Sequence, residues 1–429
     1  MPGFPTGAKL SDCGNATIAD APDSALVPGY AIVSEDSRTV IFNPYGDSTT
    51  DYLGSSTEDV AYIVHLNNGI LRQGANAGSV FVSPYTDYKW RFTTGKLLDL
   101  IPPHIVSVIP ANGAGLNATV RDGSLDKAGK VYLNQTIVVN FSEPVIPPLN
   151  QTQYCTAGDS DNEAQIINMA KVAETCATNH VPGAWKVGVN NYKTIQFSTN
   201  TRCNGVTVNS CGEPVYCLPS TSTISGKILA ADVEGGIGLV GTGITDLAAN
   251  SLDGNKNGIS DGSPADDYNW SFGTGNALDL TPPALLQIEP NNGSDSLAVD
   301  ALVSAVFNKD MDPSSIDNEV NIFGDGWNAW VNAGMGESEG AVDMTKVVVS
   351  HGNFVAAADT GAVPLYTPVI GAKVKDLRQN CFSPSKDTGL GDSGCSSISG
   401  MGVSCCPKDL DTQQFDLEAK PGEAQCQRP

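Results

Sequence analysis

Oxygen-bearing side chains alternate along one short stretch of the chain, DGNKNGISDGSPADD, at residues 253–267. Asp253, Asn255, Asn257 and Asp261 occupy the first, third, fifth and ninth places, and a glycine fills the sixth. In this pattern alternate side chains turn inward, and carboxylate and amide oxygens are the ligands that Ca²⁺ prefers. The spacing therefore predicts a calcium loop.

The order matches the ligand spacing of an EF-hand loop, whose seventh place supplies a backbone carbonyl, here that of Ile259. The twelfth place holds Pro264 instead of the usual bidentate glutamate. We therefore predict that Asp266 or Asp267 completes the shell from further along the chain. The sequence predicts strands on both sides of the loop, so the calcium loop would belong to a hairpin. The alternative is a polar turn rich in Asp, Asn and Gly that binds no ion.

Other chemistries have weaker support. No serine lies in a G-x-S-x-G motif, no C-x-x-C pair is present and the four histidines are scattered, so neither a hydrolase triad nor a zinc site is indicated. Residues 236–241 read GIGLVG, but the residues after them have no helix periodicity and no second strand, so dinucleotide binding is not expected. We predict that the chain is not an enzyme.

Charge restricts the partners. The 429-residue chain has 47 acidic and 24 basic residues and a formal net charge of -23. Such a surface repels nucleic acid and anionic membranes, whereas divalent cations are its natural counterions. No apolar run reaches the roughly 18 residues of a membrane helix, and the first residues lack the apolar core of an export signal. We predict no nucleic-acid partner and no membrane insertion, and we expect an exported form to have lost a leader or a longer N-terminal part.

Cysteine usage indicates an oxidising, extracellular compartment, because eleven cysteines are too many for a reducing cytosol. Five lie between residues 155 and 217 and five between 381 and 426, whereas Cys13 stands alone. We therefore expect stabilising disulfides, with connectivity left open. The odd total leaves at least one thiol free or paired with another chain.

The elements that must position these residues are predicted to be strands. The chain has 45 glycines and 26 prolines and few segments that could sustain a helix, so the predicted class is all-β. KTIQF at 193–197 and TIVVNF at 136–141 place apolar residues on one face of a strand. Two sheets facing each other with such residues form a sandwich.

Internal repeats organise the chain. Residues 88–115, which begin YKWRFTTGKLLDLIPP, line up with residues 268–295, which begin YNWSFGTGNALDLTPP. Three further pairs of segments match in order, and the pair at 27–44 and 181–199 reads as two hairpins. The other two pairs are 136–148 with 302–314, and 243–252 with 372–382. We predict three copies of one β-rich module.

These motifs resemble the bacterial Ig-like domain of S-layer and other bacterial surface proteins. The middle copy has the Asp-x-x-Pro-Pro start at 99–103, the V-x-F-S-E-P strand at 139–144, the aspartate-to-asparagine turn at 246–250 and the W-x-F-x-T-G close at 270–275. The resemblance implies tandem immunoglobulin-like β-sandwich domains at 1–98, 99–278 and 279–429. We call the last two the middle repeat and the third repeat.

Two copies depart from the pattern. The first lacks its opening strands, so either a longer protein has been truncated or processed, or another molecule adds the missing strands by donor-strand exchange. The third ends in a Cys-rich tail, with a strand expected at 412–419.

The recurring residues at module ends have expected roles. Trp90 and Trp270 are predicted to lie in the cores. The short, proline-containing linkers are predicted to hold neighbouring modules at a fixed angle. Asp99 and Asp279, which precede the double prolines, either cap a turn or bind calcium between modules.

The resemblance implies an extracellular structural protein on the surface of a prokaryote. Its partner would be itself, in a surface layer, a filament or an adhesive stalk that calcium and disulfides stabilise. One alternative is an adhesin module that binds cell-surface glycans or a protein, with the segment 150–180 as the place to look. Another is the non-catalytic part of a larger secreted enzyme.

Overall fold

The chain forms two compact units, Met1–Leu100 and Ile101–Pro429. The computed structural model describes residues 16–21, 30–33, 40–43, 59–67, 70, 79, 87–97, 99–146, 164–168, 180–205, 208–209, 212–239, 242–290, 294–316, 319–324, 331–335, 345–355, 366–371, 373–382, 395–398 and 402–405. The predictions for Cys13, for most of the segment 150–180 and for a strand at 412–419 lie outside these residues.

Strands dominate the described residues. They form 24 strands in antiparallel sheets and hairpins, and the one helix among them, α1 (Pro313–Ile316), has a single turn. The prediction of an all-β class is therefore confirmed.

The first unit contains a three-stranded sheet and a hairpin. The strands are β1 (Ala16–Ala21), β2 (Tyr30–Val33), β3 (Val40–Asn43), β4 (Val60–Asn67) and β5 (Asp87–Thr94). β4 pairs with β1 on one side and β5 on the other. β2 pairs with β3, which confirms the hairpin predicted at 27–44.

The prediction that Trp90 lies in a core is wrong, because its residue surface is 41% exposed. The described core of the first unit is a small cluster in which Tyr62 and Val64 are buried and Phe92 packs against them. Among the described residues of this cluster, Trp90 is not a member. The Trp90 ring instead lies 5.7 Å from the exposed ring of Tyr88.

The middle repeat has two sheets around one core. Its strands are β6 (Ile105–Ile109), β7 (Ile137–Phe141), β8 (Val145–Ile146), β9 (Ala164–Asn168), β10 (Gly183–Val189), β11 (Thr194–Thr199), β12 (Thr223–Ile228), β13 (Val233–Glu234), β14 (Ile237–Gly238), β15 (Thr245–Asp246) and β16 (Tyr268–Gly273). One sheet has the order β6-β7-β11-β10 and the other β9-β12-β16. The pairing of β10 with β11 confirms the second predicted hairpin.

Both sheets contribute buried side chains to the same core. Ile137 and Phe197 come from the first sheet, and Ile224 and Phe272 from the second. Trp270 is 2% exposed in this core, as predicted. The middle repeat is therefore two-layered.

The third repeat has its own core and a sheet of matching order. Its strands are β17 (Leu285–Glu289), β18 (Val303–Phe307), β19 (Val320–Gly324), β20 (Val331–Met335), β21 (Thr345–His351), β22 (Tyr366–Ile370), β23 (Cys395–Ile398) and β24 (Gly402–Cys405). The order β17-β18-β21-β20 reproduces β6-β7-β11-β10 of the middle repeat. Phe307, Met311, Val347 and Phe382 are buried together between these elements.

Cys203 and Cys217 form a disulfide. Both are buried with Val215, and the partly buried Leu133 and Leu278 pack against this cluster. The disulfide therefore lies near Leu278, the last residue of the middle repeat. Cys381 is also disulfide-bonded.

Candidate metal site

The predicted loop connects the end of the turn after β15 to the start of β16. Its first residue is anchored, because Asp253 N donates a hydrogen bond to Pro103 O at 2.8 Å. The two ends of the loop approach so closely that a Cβ on Gly254 would collide with the backbone oxygen of Asp266. Gly258, the sixth residue of the pattern, has a φ of 85°, which favours glycine.

Side chains of the loop turn inward onto its own backbone. Asp253 Oδ1 accepts a hydrogen bond from Asn257 N at 3.0 Å, and its Oδ2 accepts one from Gly258 N at 2.7 Å. Asn255 Oδ1 accepts from Asn257 N at 2.9 Å, and Asn257 Oδ1 from Ile259 N at 2.8 Å. The sequence pattern therefore produces a ring of side chains that accept hydrogen bonds from the loop backbone.

Amide groups of the ring contact its other carboxylates. Asn255 Nδ2 donates to Asp266 Oδ1 at 2.6 Å, and Asn257 Nδ2 donates to Asp261 Oδ2 at 2.8 Å. Asp266 Oδ2 also accepts from Asp261 N and Gly262 N at 2.5 and 3.2 Å. Asp266 therefore links the end of the loop to its beginning. It takes the role that a glutamate at the twelfth place would have, where this chain has Pro264.

The Asp266 carboxyl has an unfavourable environment as an anion. The residue is fully buried, and burial raises its pKa above the usual 3.8. The negative charges of Asp253 and Asp261 raise the pKa further, against the lowering effect of the N–H groups of Asp261 and Gly262. A cation held by this ring would remove the cost of ionising Asp266.

Asp267 and Ile259, which the sequence analysis also assigned to the loop, have other surroundings. The Asp267 carboxylate contacts Lys227 Nζ at 2.8 Å and accepts a hydrogen bond from Ala230 N at 3.1 Å, so it belongs to an ion pair beside β12. The side chain of Ile259 is exposed, as expected if only its backbone carbonyl acts as a ligand.

The donor set fits a hard cation. The structure brings together three carboxylates and two side-chain amides, and carboxylate and amide oxygens are ligands of Ca²⁺. The amide NH₂ groups now face the carboxylates, so a bound ion requires both amides to rotate and present oxygen instead.

The middle repeat contains a second organised acid, in the turn that precedes the loop. Asp246 Oδ1 accepts hydrogen bonds from Ala248 N and Asn250 N at 2.8 Å each, and Asn250 Nδ2 donates to Asp246 Oδ2 at 2.8 Å. Ala249 has a φ of 64°, which closes the turn.

The third repeat has the same turn. Asp376 Oδ1 accepts from Arg378 N and Asn380 N at 2.9 and 2.8 Å, and Gln379 has a φ of 68°. The pairing of segments 243–252 and 372–382 in the sequence therefore corresponds to the same local geometry.

In the third repeat this turn carries an ion-pair network. Lys309 Nζ lies 3.0 Å from Asp376 Oδ2 and 2.7 Å from Asp279 Oδ2, and Arg378 Nε lies 3.6 Å from the same Asp279 oxygen. Thr281 N donates to Asp279 Oδ1 at 2.9 Å. These contacts support the turn-capping alternative for Asp279, because protein cations already match its charge.

The two carboxyls beside Lys309 have opposite shifts. Burial raises the pKa of Asp376. Burial also acts to raise the pKa of Asp279, but the hydrogen bonds from Lys309 and Thr281 and the charges of Lys309 and Arg378 outweigh it, so this pKa lies below its usual value.

One further contact between acidic residues of the middle repeat was not predicted from the sequence. The carboxylates of Glu143 and Asp246 lie within 4.8 Å of each other, although the residues are far apart in the sequence. The repeat alignment contained a signal, since it places Glu143 opposite Lys309 of the third repeat.

Comparisons with known proteins give little further information. No protein-family model matches the chain, and no curated protein matches it. Among solved structures, the surface layer protein SbsC, domains 1–6, is 12% identical with a TM-score of 0.16, and the S-layer protein rSbsC is 12% identical with a TM-score of 0.15. In each case the match covers 91% of this chain and 58% of the other. TM-scores this low establish no common fold.

Among the described residues, no helix has the length and apolar character needed to cross a bilayer.

Proposed function

We propose that this chain is an extracellular structural protein of a prokaryotic cell surface, built from Ig-like β-sandwich repeats. It would act as a subunit of a surface layer, a filament or an adhesive stalk, with other copies of itself as partners. Its function would be mechanical, since the repeats transmit force when their joints resist bending.

The observation that carries this proposal is the junction between the middle and third repeats. Gln379 Nε2 donates to Tyr216 O at 2.8 Å and to Asn134 O at 3.0 Å, and Tyr216 N donates to Gln379 Oε1 at 3.0 Å. Thr136 N donates to Leu377 O at 2.7 Å. One turn of the third repeat is therefore bonded to the backbone of its neighbour at several points.

The same junction fixes the linker. Asn134 Nδ2 donates to Asp279 O at 2.7 Å and to Arg378 O at 2.7 Å, and Asn134 Oδ1 accepts from Asp279 N at 3.1 Å. Asn380 Nδ2 also donates to Asp279 O at 2.9 Å. A linker that is hydrogen-bonded to both repeats acts as a rigid joint. Such a joint suits a load-bearing repeat protein better than a flexible tether does.

In this proposal calcium is held by the loop formed by Asp253, Asn255, Asn257, Asp261 and Asp266. The loop lies immediately before β16, so an ion there would fasten the last strand of the middle repeat. Disulfides such as Cys203 with Cys217 would stabilise the repeats in an oxidising medium outside the cell.

Negative-stain electron microscopy of the purified full chain tests this function. We expect regular sheets or filaments in millimolar Ca²⁺, and shorter or irregular assemblies after chelation. Mg²⁺ at the same ionic strength controls for screening of the acidic surface. Strictly monomeric particles at all protein and calcium concentrations would overturn the proposed assembly.

A further inference from the structure

Two reciprocal hydrogen bonds fix the end of β7 in the middle repeat. Ser142 N donates to His104 O at 2.9 Å, and His104 N donates to Ser142 Oγ at 3.1 Å. Glu143 comes directly after Ser142, and two residues later Val145 pairs with Asp246. The backbone of Glu143 is therefore held beside the Asp246 turn.

The end of β18 in the third repeat has the same arrangement. Asn308 N donates to Ala284 O at 3.0 Å, and Ala284 N donates to Asn308 Oδ1 at 2.7 Å. Lys309 comes directly after Asn308, and two residues later Met311 pairs with Asp376. The lysine of the third repeat therefore occupies the position that a glutamate occupies in the middle repeat.

This exchange reverses one charge beside a buried aspartate. In the third repeat Lys309 Nζ is 3.0 Å from Asp376 Oδ2. In the middle repeat the Glu143 carboxylate approaches the Asp246 carboxylate within 4.8 Å, and Asp246 is only 2% exposed. The same position beside the buried aspartate therefore carries a positive group in the third repeat and a negative group in the middle repeat.

We propose that a divalent cation, Ca²⁺, binds between Glu143 and Asp246 in the position that the Lys309 ammonium group occupies in the third repeat. The two repeats share one backbone framework at this position, and in the third repeat that framework places a positive group against the equivalent aspartate.

The chemistry of the site favours calcium over a monovalent ion. Each carboxylate offers up to two oxygens, and Ca²⁺ accepts six to eight oxygen ligands in flexible geometry, with water completing the shell. Asp246 is already held rigid by the N–H groups of Ala248 and Asn250. The Asp246 ligand is therefore preorganised, and ion binding has to order only the Glu143 side chain.

This site shares no ligand with the loop at residues 253–266, so the two are separable by mutation. It also does not require that the chain assemble on a surface. If no ion binds between Glu143 and Asp246, the proposed function is unaffected. If the chain does not assemble, the proposed ion site is unaffected.

Counting bound Ca²⁺ per chain by equilibrium dialysis tests the site in the full-length protein. Glu143→Lys recreates the pair of the third repeat, so we expect it to lose one Ca²⁺ per chain relative to wild type. We also expect its Tm in chelator to equal or exceed that of wild type, because the ammonium replaces the ion. Glu143→Gln, which removes the negative charge but adds no positive one, should lose the same Ca²⁺ and show a smaller rise in Tm in chelator than Glu143→Lys.

Two further variants control the result. Glu234→Lys makes the same charge change at an exposed position on β13 and should keep the wild-type count. Lys309→Glu creates the acidic arrangement in the third repeat and should gain one Ca²⁺. An unchanged count in both folded Glu143 variants, measured beside the Glu234 control, would overturn the proposal.

Discussion

Asp266 determines how the candidate calcium loop is closed. Its carboxylate is fully buried, accepts two backbone N–H groups and one amide, and lies near the charges of Asp253 and Asp261. Burial and those two charges raise its pKa. The folded chain therefore binds a proton at Asp266 more readily than the unfolded chain does, and a cation in the ring would compete with that proton.

Linkage gives the sign of the pH effect in chelator. Between the unfolded pKa near 3.8 and the higher folded pKa, the folded state holds more protons than the unfolded state. The contribution of Asp266 to stability is then complete below the unfolded pKa and is lost as pH rises through the folded pKa. Calcium binding should restore it at neutral pH.

We predict opposite effects of Asp266→Asn in the two conditions. In chelator at neutral pH the variant should have a higher Tm than wild type, because it removes a buried like charge. In millimolar Ca²⁺ its Tm should be lower than that of wild type, because an ion bound only to the folded state stabilises it. Differential scanning calorimetry in both buffers measures the two shifts.

Asp232→Asn, at an exposed position near β13, is the matched control and should change neither value. If Asp266→Asn lowered the Tm equally in chelator and in calcium, the carboxylate would have a structural role and no ion-linked one.

At the scale of elements, the middle and third repeats share one turn geometry. Leu247 of this turn in the middle repeat is 62% exposed, whereas Leu377 in the third repeat is 1% exposed. The turn of the third repeat packs against the middle repeat, and Lys309 links it to the linker residue Asp279. In the third repeat this turn is therefore part of the joint with the middle repeat.

We predict that Lys309→Met destabilises the third repeat by about 3–5 kcal/mol, the usual cost of removing one partner from a buried ion pair. The Asp376 side chain is fully buried, and Lys309 is mostly buried. Lys375→Met is the control, because its partner Glu213 is about half exposed and such pairs contribute about 1 kcal/mol or less. Urea denaturation followed by circular dichroism compares the free energies of unfolding, and equal losses for both variants would contradict the prediction.

Sequence patterns predicted local elements well. The hairpins at 27–44 and 181–199 were found because strand alternation and turn residues are local signals. The inward placement of Asp253, Asn255 and Asn257 followed from their spacing. Such features need no information from distant parts of the chain.

Tertiary surroundings account for what the sequence left open or predicted wrongly. The sequence left Asp266 and Asp267 as equal candidates to close the loop, and their tertiary contacts separate them, because Asp266 bonds within the loop whereas Asp267 pairs with Lys227. Trp90 and Trp270 have matched positions in the repeats but different burial, and local sequence does not distinguish them. The contact between Glu143 and Asp246 needs the pairing of β8 with β15.

At the scale of the whole molecule, the second unit contains two hydrophobic cores joined by a polar interface. The core of the middle repeat and that of the third repeat are separate clusters. Side-chain amides such as those of Asn134 and Gln379 bond them through backbone atoms. These hydrogen bonds therefore contribute to the stiffness of the joint, whereas folding of each core depends on apolar burial.

We predict that the double variant Asn134→Ala and Gln379→Gly loosens the joint without unfolding either core. Glycine adopts the positive φ of Gln379 without strain, so that substitution removes only the side-chain bonds. Small-angle X-ray scattering of the full chain should show a larger radius of gyration and a broader distance distribution, with an unchanged circular dichroism spectrum. Asn117→Ala is the control and should leave the scattering unchanged, because the Asn117 side chain is exposed and, among the contacts described, bonds only the nearby Thr119. Scattering of the double variant identical to wild type would mean that apolar and ionic contacts alone hold the joint, and these amides would then contribute nothing to its stiffness.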